Sequence, residues 1–150
     1  MTERVNLSKS APSLYKTVIE LERLASEALA SAGVAKGFSH LLRLRASQVN
    51  QCAFCARMHA RDALASGESS DRLAVLSAWK ETDYFTLKER AALELVEAIT
   101  LISADQLPDA IYEQAAKNLS KEEVSAIEWL AVVINIWNRI AIASRYPVKE

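Results

Sequence analysis

Glycine and proline are scarce in this sequence, with three residues of each among 150. These are the residues that most often interrupt helices and form turns, so their scarcity predicts few turns and long elements. Alanine, leucine and glutamate, which all favour helices, are abundant. No stretch is a convincing strand. The sequence therefore predicts an all-α fold.

Two further absences limit the possible functions. The formal net charge is only −1, with lysine and arginine spread along the chain, so the sequence lacks the basic patch of a nucleic-acid binder. The most apolar run, residues 127–137, is shorter than the roughly 20 residues of a membrane span. The first ten residues have no apolar segment typical of a secretory signal. We therefore expect a soluble, cytoplasmic protein with neither nucleic acid nor a membrane as partner.

Apolar residues recur every three or four positions, which predicts about seven helices in a single domain, residues 1–150. Gly33 and Gly67 are placed to end helices, and capping boxes open helices at Thr86 and Ser120. Asn50 is expected to cap the helix that follows it. The predicted helices cover residues 12–32, 37–48, 53–65, 70–79, 87–102, 108–118 and 121–144.

The first and last of these helices differ in their apolar surface. Leu14, Leu24 and Leu29 belong to a stripe of the first helix that we expect to be buried. The last helix is apolar nearly all round, since Trp129 and Ile136 lie outside its main stripe. Such a helix belongs in a core or at a subunit interface. For so small a domain we predict a homo-oligomer.

Cysteine and histidine are rare, with two residues of each, and three of these four lie within residues 52–59. On a helix, Cys55 and His59 project about 60° and 20° from Cys52, so all three share one face. The start of a helix stabilises a thiolate. His59 lies one turn after Cys55, where it can exchange a proton with the thiol. A pair of cysteines three residues apart can also close a labile, catalytic disulfide.

The second histidine, His40, is expected beside the first. If the second and third helices form a hairpin that turns near Asn50, residues facing each other have numbers that sum to about one hundred. His40 then faces residue 60, next to His59. The sequence therefore predicts one patch that holds both histidines and both cysteines.

Residues 44–63, which contain these cysteines and His59, resemble the signature of the AhpD-like alkylhydroperoxidases in the carboxymuconolactone decarboxylase superfamily. The resemblance extends through Trp79, residues 85–100 and residues 135–139, and so covers nearly the whole chain. The family pattern is a glutamate, eleven residues, Cys-x-x-Cys, three residues and a histidine. Cys52, Cys55 and His59 match it, but His40 stands at the glutamate position.

This resemblance implies an all-α protein that assembles as trimers or hexamers and reduces organic hydroperoxides without metal or flavin. It also implies that the second cysteine is peroxidatic. Proximity to His59 favours the same choice, because a positioned base contributes more to the reactivity of a thiol than a helix dipole does. We expect Cys55 to attack the peroxide, Cys52 to resolve the sulfenic acid, and His59 with His40 to relay the proton. No cofactor is expected, and an external dithiol or reductase protein supplies the electrons.

The sequence is also compatible with four other functions. Cys52, Cys55, His59 and His40 would form a Cys₂His₂ set suited to zinc, although ligands on one rigid helix rarely converge on a tetrahedral ion. A decarboxylase of the same superfamily would not need the cysteines. The chain could also be a non-enzymatic helical oligomer or binding module, or a general disulfide reductase that uses the same cysteine pair.

Overall fold

The computed structural model describes residues 2–150, which form nine α-helices and one 3-10 helix and contain no strand. This confirms the all-α prediction. The 3-10 helix, Leu76–Glu81, lies between α5 and α6. The α-helices are α1 (Leu7–Ser10), α2 (Pro12–Ser31), α3 (Lys36–Val49), α4 (Ala53–Ala65), α5 (Ser70–Val75), α6 (Leu87–Thr100), α7 (Ile102–Asp105), α8 (Asp109–Asn118) and α9 (Lys121–Ala143).

The seven predicted helices are all present, with small differences at their ends. The helix predicted over residues 70–79 is divided into α5 and the 3-10 helix, within which Ala78 leaves the helical region. The helix predicted over residues 87–102 ends at Thr100. Helices α1 and α7 were not predicted, because four residues are too few to show a helical period.

The predicted helix ends depend on local hydrogen bonds that the structure contains. Thr86 and Ser120 each accept a hydrogen bond from the backbone N–H of a glutamate three residues later, and that glutamate bonds back to the cap. Gly33 and Gly67 follow α2 and α4 with φ of 83° and 92°, the left-handed region that glycine adopts without strain. The two capping boxes and the two glycine terminators are confirmed.

Helix α9 is the centre of the bundle. It packs against α2, α3 and α6, and its residues Ile127, Leu130 and Ile134 are almost completely buried. By length and composition alone, α9 is apolar enough to cross a membrane. Its packing against three other helices explains this composition, since a helix surrounded by protein is apolar on most faces.

Some apolar residues are more exposed than the sequence pattern indicates. Leu29 is buried as predicted, but Leu14 and Leu24 on α2 are exposed, so that part of the stripe prediction is wrong. On α9, Trp129 and Val132 also face outward. One chain leaves these residues uncovered, and the homo-oligomer stays a prediction.

The buried residues of α3 hold the site described below in place. Their contribution to the stability of the fold can be measured. Leu42 is completely buried, so Leu42→Ala removes apolar contacts and leaves a cavity. We expect the free energy of unfolding to fall by about 2–5 kcal/mol. Leu87 is 76% exposed, so Leu87→Ala is the matched control. It should change the free energy of unfolding by about 0.5 kcal/mol or less. Urea unfolding at one protein concentration compares the two variants. Equal losses of stability would contradict the burial of Leu42.

Candidate functional site

The site is built on the hairpin of α3 and α4. The turn between them is a tight helix terminator: the N–H of Cys52 donates to the carbonyl of Ser47 (2.9 Å), and Gln51 takes the left-handed conformation (φ 57°). Asn50 ends α3, and its side chain is turned towards α9. The prediction that Asn50 caps α4 is therefore wrong, because the terminator places Cys52 in that position.

The two cysteines lie where the turn enters α4. Cys52 has extended backbone (φ −86°, ψ 95°), so the helical projection used for its position does not apply to it. Cys55 lies in the first turn of α4. The Sγ atoms nevertheless lie 2.7 Å apart, both cysteines are free thiols, and each is only 2% exposed. Small rotations of the two side chains are enough to bring the sulfurs together.

The two histidines meet across the hairpin, as the numbering of facing residues predicts. The Nδ1 atoms of His40 and His59 lie 3.3 Å apart, and the ring centroids are 5.5 Å apart at an interplanar angle of 29°. A hydrogen bond between two neutral imidazoles needs one Nδ1–H donor and one Nδ1 acceptor. The outer nitrogens then differ, because one ring offers a basic Nε2 and the other an Nε2–H. We call these residues the histidine pair.

A cavity of about 460 Å³ connects the histidine pair with Cys55. Cys52 does not line it and lies behind Cys55. Met58 and Phe54 both belong to its wall. Apolar side chains from four segments make up most of the surface. The lining residues are Tyr15, Ile19, Glu22, His40, Phe54, Cys55, Met58, His59, Asp62, Trp137, Ala141 and Tyr146.

Aromatic contacts hold the cavity wall in place. Tyr15 of α2 packs edge-on against Trp137 of α9, with ring centroids 5.3 Å apart. Phe54 makes a similar contact with Tyr146, at 5.2 Å. Burial, together with a hydrogen bond to Tyr146, raises the pKa of Tyr15. The wall thus joins the two ends of the chain to the hairpin.

Burial keeps both histidines neutral near pH 7. It is the main cause that lowers the pKa of His59 to about 3, with the charges of Arg43 and His40 adding to the effect. Burial and Arg43 also lower the pKa of His40, while the carboxylate of Asp62 opposes this change. Arg43 is itself buried and is paired with Glu22 at 2.8 Å. Both rings are therefore unprotonated near pH 7, and the histidine pair carries no standing charge.

The Cys55 thiol is also neutral, which is opposite to the effect expected from a helix start. Burial raises the pKa of Cys55 to about 12, with the neighbouring Cys52 adding to the rise and a hydrogen bond from Asn138 opposing it. The cost of removing a thiolate from water exceeds the stabilisation by the helix dipole. Cys55 therefore needs a base that takes its proton as it reacts.

The side chain of Asn138 is oriented by a partly buried chain of amides, here called the amide network. The Nδ2 of Asn135 donates to Thr100 and to the Ala131 carbonyl, which turns its Oδ1 towards Asn50. The Nδ2 of Asn50 then donates to both Asn135 (2.9 Å) and Asn138 (2.8 Å). With its oxygen so occupied, Asn138 points its Nδ2 at Ser47 (3.1 Å) and at the Cys55 thiol.

The structure brings together a set of metal-ligating side chains that differs from the Cys₂His₂ set considered as an alternative. Within the described part of the chain, one group of three lies close enough for a single ion, and it consists of His40, His59 and Asp62. Their ligand atoms lie within 4.8 Å of one another. Neither cysteine belongs to the group.

Comparisons with known proteins assign the chain to a family. The sequence model of the carboxymuconolactone decarboxylase family matches residues 18–98, which include α3, the turn, α4 and most of α6. The chain belongs to the carboxymuconolactone decarboxylase family. The matched part of this family member contains both cysteines and both histidines.

Two similar proteins cover almost the full length. The uncharacterized protein YdfG of Bacillus subtilis (strain 168) is 36% identical over 143 residues, which is 95% of each chain. The crystal structure of ATU0492 from Agrobacterium tumefaciens has a TM-score of 0.88 and 37% identity, over 99% of this chain and 100% of that one. ATU0492 is a protein of unknown function and a candidate antioxidant defence protein, AhpD. These likenesses show that this carboxymuconolactone decarboxylase family member is AhpD-like.

Several residues of the site were missed by the sequence reasoning. Asp62 follows His59 by three positions on the same helix face, so the spacing could have revealed it. Arg43 follows His40 in the same way. Glu22, Trp137 and Asn138 reach the site from α2 and α9, and no local pattern indicates such distant partners.

The amide network can be tested by replacing its last member. Asn138→Leu keeps the number and branching of the side-chain heavy atoms but removes the donor to Cys55 and the acceptor for Asn50. We expect the free energy of unfolding to fall by about 1–3 kcal/mol. We also expect alkylation of Cys55, measured in a Cys52→Ser background, to slow about 2- to 10-fold as the thiolate loses a hydrogen bond.

The matched control is Asn118→Leu. The Asn118 amide donates to the Gln114 carbonyl at the surface of α8, far from the sulfur. That variant should leave the alkylation rate unchanged. Alkylation that is equally fast in the Asn138 and Asn118 variants would show that the amide does not act on the thiol.

Proposed function

We propose that this protein is a thiol peroxidase that reduces organic hydroperoxides by cycling Cys55 and Cys52 between dithiol and disulfide. One observation carries the proposal: Cys55 lines an apolar cavity with the histidine pair, and Cys52 lies directly behind it, 2.7 Å from sulfur to sulfur. This order suits a peroxidatic thiol that meets the substrate and a resolving thiol that does not.

The first step joins the thiol to the peroxide. The Cys55 sulfur attacks the terminal oxygen of R–OOH, the O–O bond breaks, and the products are Cys55 sulfenic acid and the alcohol R–OH. The thiol proton must leave as the S–O bond forms, because the buried thiolate is scarce at neutral pH. In our proposal the basic Nε2 of His59 accepts it, and the His59 Nδ1–H is passed on to His40. A proton reaches the alkoxide leaving group through the same cavity.

The second and third steps close and reopen the disulfide. The Cys52 sulfur attacks the sulfenic acid, the S–S bond forms, and water leaves. An external dithiol then reduces the bridge by thiol–disulfide exchange, giving two thiols and an oxidised donor. Because both sulfurs are buried, a small dithiol that enters the cavity reaches the bridge more readily than a folded reductase protein. The same burial disfavours a general disulfide reductase, whose protein substrates could not reach Cys55.

The cysteine roles give distinct stoichiometries with cumene or tert-butyl hydroperoxide and a small dithiol. Cys55→Ser should lose turnover and keep its remaining thiol in the presence of peroxide. In the absence of the dithiol, which would itself reduce the sulfenic acid, Cys52→Ser should consume one equivalent of peroxide per chain and then stop, since Cys55 has no partner thiol. The exposed Ser125 of α9 provides a control, and Ser125→Ala should turn over like the parent. Full turnover by Cys55→Ser would refute the assignment.

The histidine pair gives a second test. His59→Gln keeps a polar side chain of similar size but removes the basic nitrogen. If His59 is the base, turnover should fall by about 10²- to 10⁴-fold. The stoichiometry of peroxide to thiol should stay the same, since the sulfurs are intact. An equal rate in His59→Gln and the parent would show that the proton leaves by another route.

A further inference from the structure

The histidine pair has a third member whose chemistry the peroxidase reaction does not use. Asp62 lies one turn after His59 on α4, and its carboxylate oxygen and one ring nitrogen of each histidine lie within 4.8 Å of one another. Two imidazoles and a carboxylate are ligands that suit zinc and the neighbouring divalent transition metals. No other group of this kind occurs in residues 2–150.

The distance between the Nδ1 atoms of His40 and His59 fits a metal ion bound to both rings as well as a hydrogen bond between them. Zinc binds imidazole nitrogen at about 2.0–2.1 Å, so two ligands of a tetrahedral ion are about 3.3–3.4 Å apart. The two Nδ1 atoms are 3.3 Å apart. An ion that lies to one side of the line between the two nitrogens can therefore bind both without a change in their separation.

Access and charge also suit a cation. All three side chains line the cavity, and His40 and Asp62 are only half-buried, so an ion can enter from solvent. The nearby positive charge of Arg43 is balanced by Glu22.

We propose that His40, His59 and Asp62 form a binding site for one divalent transition-metal ion of the zinc class, with neither cysteine as a ligand. The cavity supplies room for water or another small ligand at the remaining position. The site differs from the Cys₂His₂ set in its carboxylate and in leaving both thiols free.

An ion at this site would act as an inhibitor of the peroxidase, and this consequence rests on the proposed function. The metal would hold both Nδ1 atoms, so the histidine pair could no longer pass a hydrogen between its rings. Proton removal from Cys55 would lose its route while the sulfurs stayed reduced. The effect would be reversed by a chelator.

Calorimetric titration with Zn²⁺ tests the site without reference to activity. The metal-free Cys52→Ser/Cys55→Ser protein should bind one ion per chain. Adding Asp62→Asn or His40→Ala should weaken binding at least about tenfold, the loss seen even for supporting residues of metal sites. Asp71→Asn, an exposed carboxylate on α5, is the matched control and should leave affinity unchanged. Absent binding, or binding unaffected by Asp62→Asn, would overturn the proposal.

Cobalt provides a second measurement on the unaltered protein, in case the serine variant does not fold. Reduced wild-type chain with Co²⁺ should show visible ligand-field absorption without the near-ultraviolet charge-transfer band of a thiolate–cobalt bond. A strong thiolate band would assign the ion to the cysteines and overturn the proposal.

The inhibitory effect is measured as loss of protein thiols after one addition of hydroperoxide, with no dithiol present because dithiols bind zinc. Zn²⁺ should slow this loss in the parent, and Asp62→Asn should need about tenfold more zinc for the same effect. If thiols are not lost even without zinc, the proposed function fails, while the calorimetric result for the metal site still stands. If zinc binds as proposed but does not slow thiol loss, the inhibitory role fails and the site remains.

Discussion

The antiparallel packing of α3 on α4 is the constraint on which the rest of the structure depends. Three residues connect the two helices, and the terminator at Gln51 fixes their register. In that register the N–H of Cys52 donates a hydrogen bond to the carbonyl of Ser47. His40 and His59 each lie seven residues further from the turn on their own helix, and there they meet. A shift of one residue would turn one imidazole away from the other. The thiols and the imidazoles are thus placed by a single turn.

Burial determines the chemistry that this placement allows. In water a thiol near a helix start would ionise more readily, but here desolvation dominates and the Cys55 thiol stays protonated. The same burial keeps His59 uncharged. The neutral Cys55 thiol and the neutral histidine pair suit a reaction in which the thiol proton leaves as the sulfur forms its new bond. The amide network supports it by offering Cys55 an N–H whose direction three asparagines determine.

Much of this could be predicted from local patterns. Caps at Thr86 and Ser120, terminators at Gly33 and Gly67, and the meeting of the histidines all follow from spacings of a few residues. Asn50 was misread because a residue between two helices can end the first or begin the second, and only its partners on α9 decide. Those partners lie more than 80 positions away in the sequence. Long-range packing of that kind leaves no periodic signal.

The histidine at the glutamate position of the family pattern follows the same electrostatic logic. A carboxylate at position 40 would lie beside Asp62, and two like charges in a partly buried cavity resist ionising together. His40 avoids this conflict because burial and Arg43 lower its pKa, so an uncharged ring lies beside Asp62. An uncharged imidazole pair beside one carboxylate is, however, also a ligand set for a metal. In the two proposals above, a proton and a divalent cation would bind the same nitrogens, so the two occupants would exclude each other.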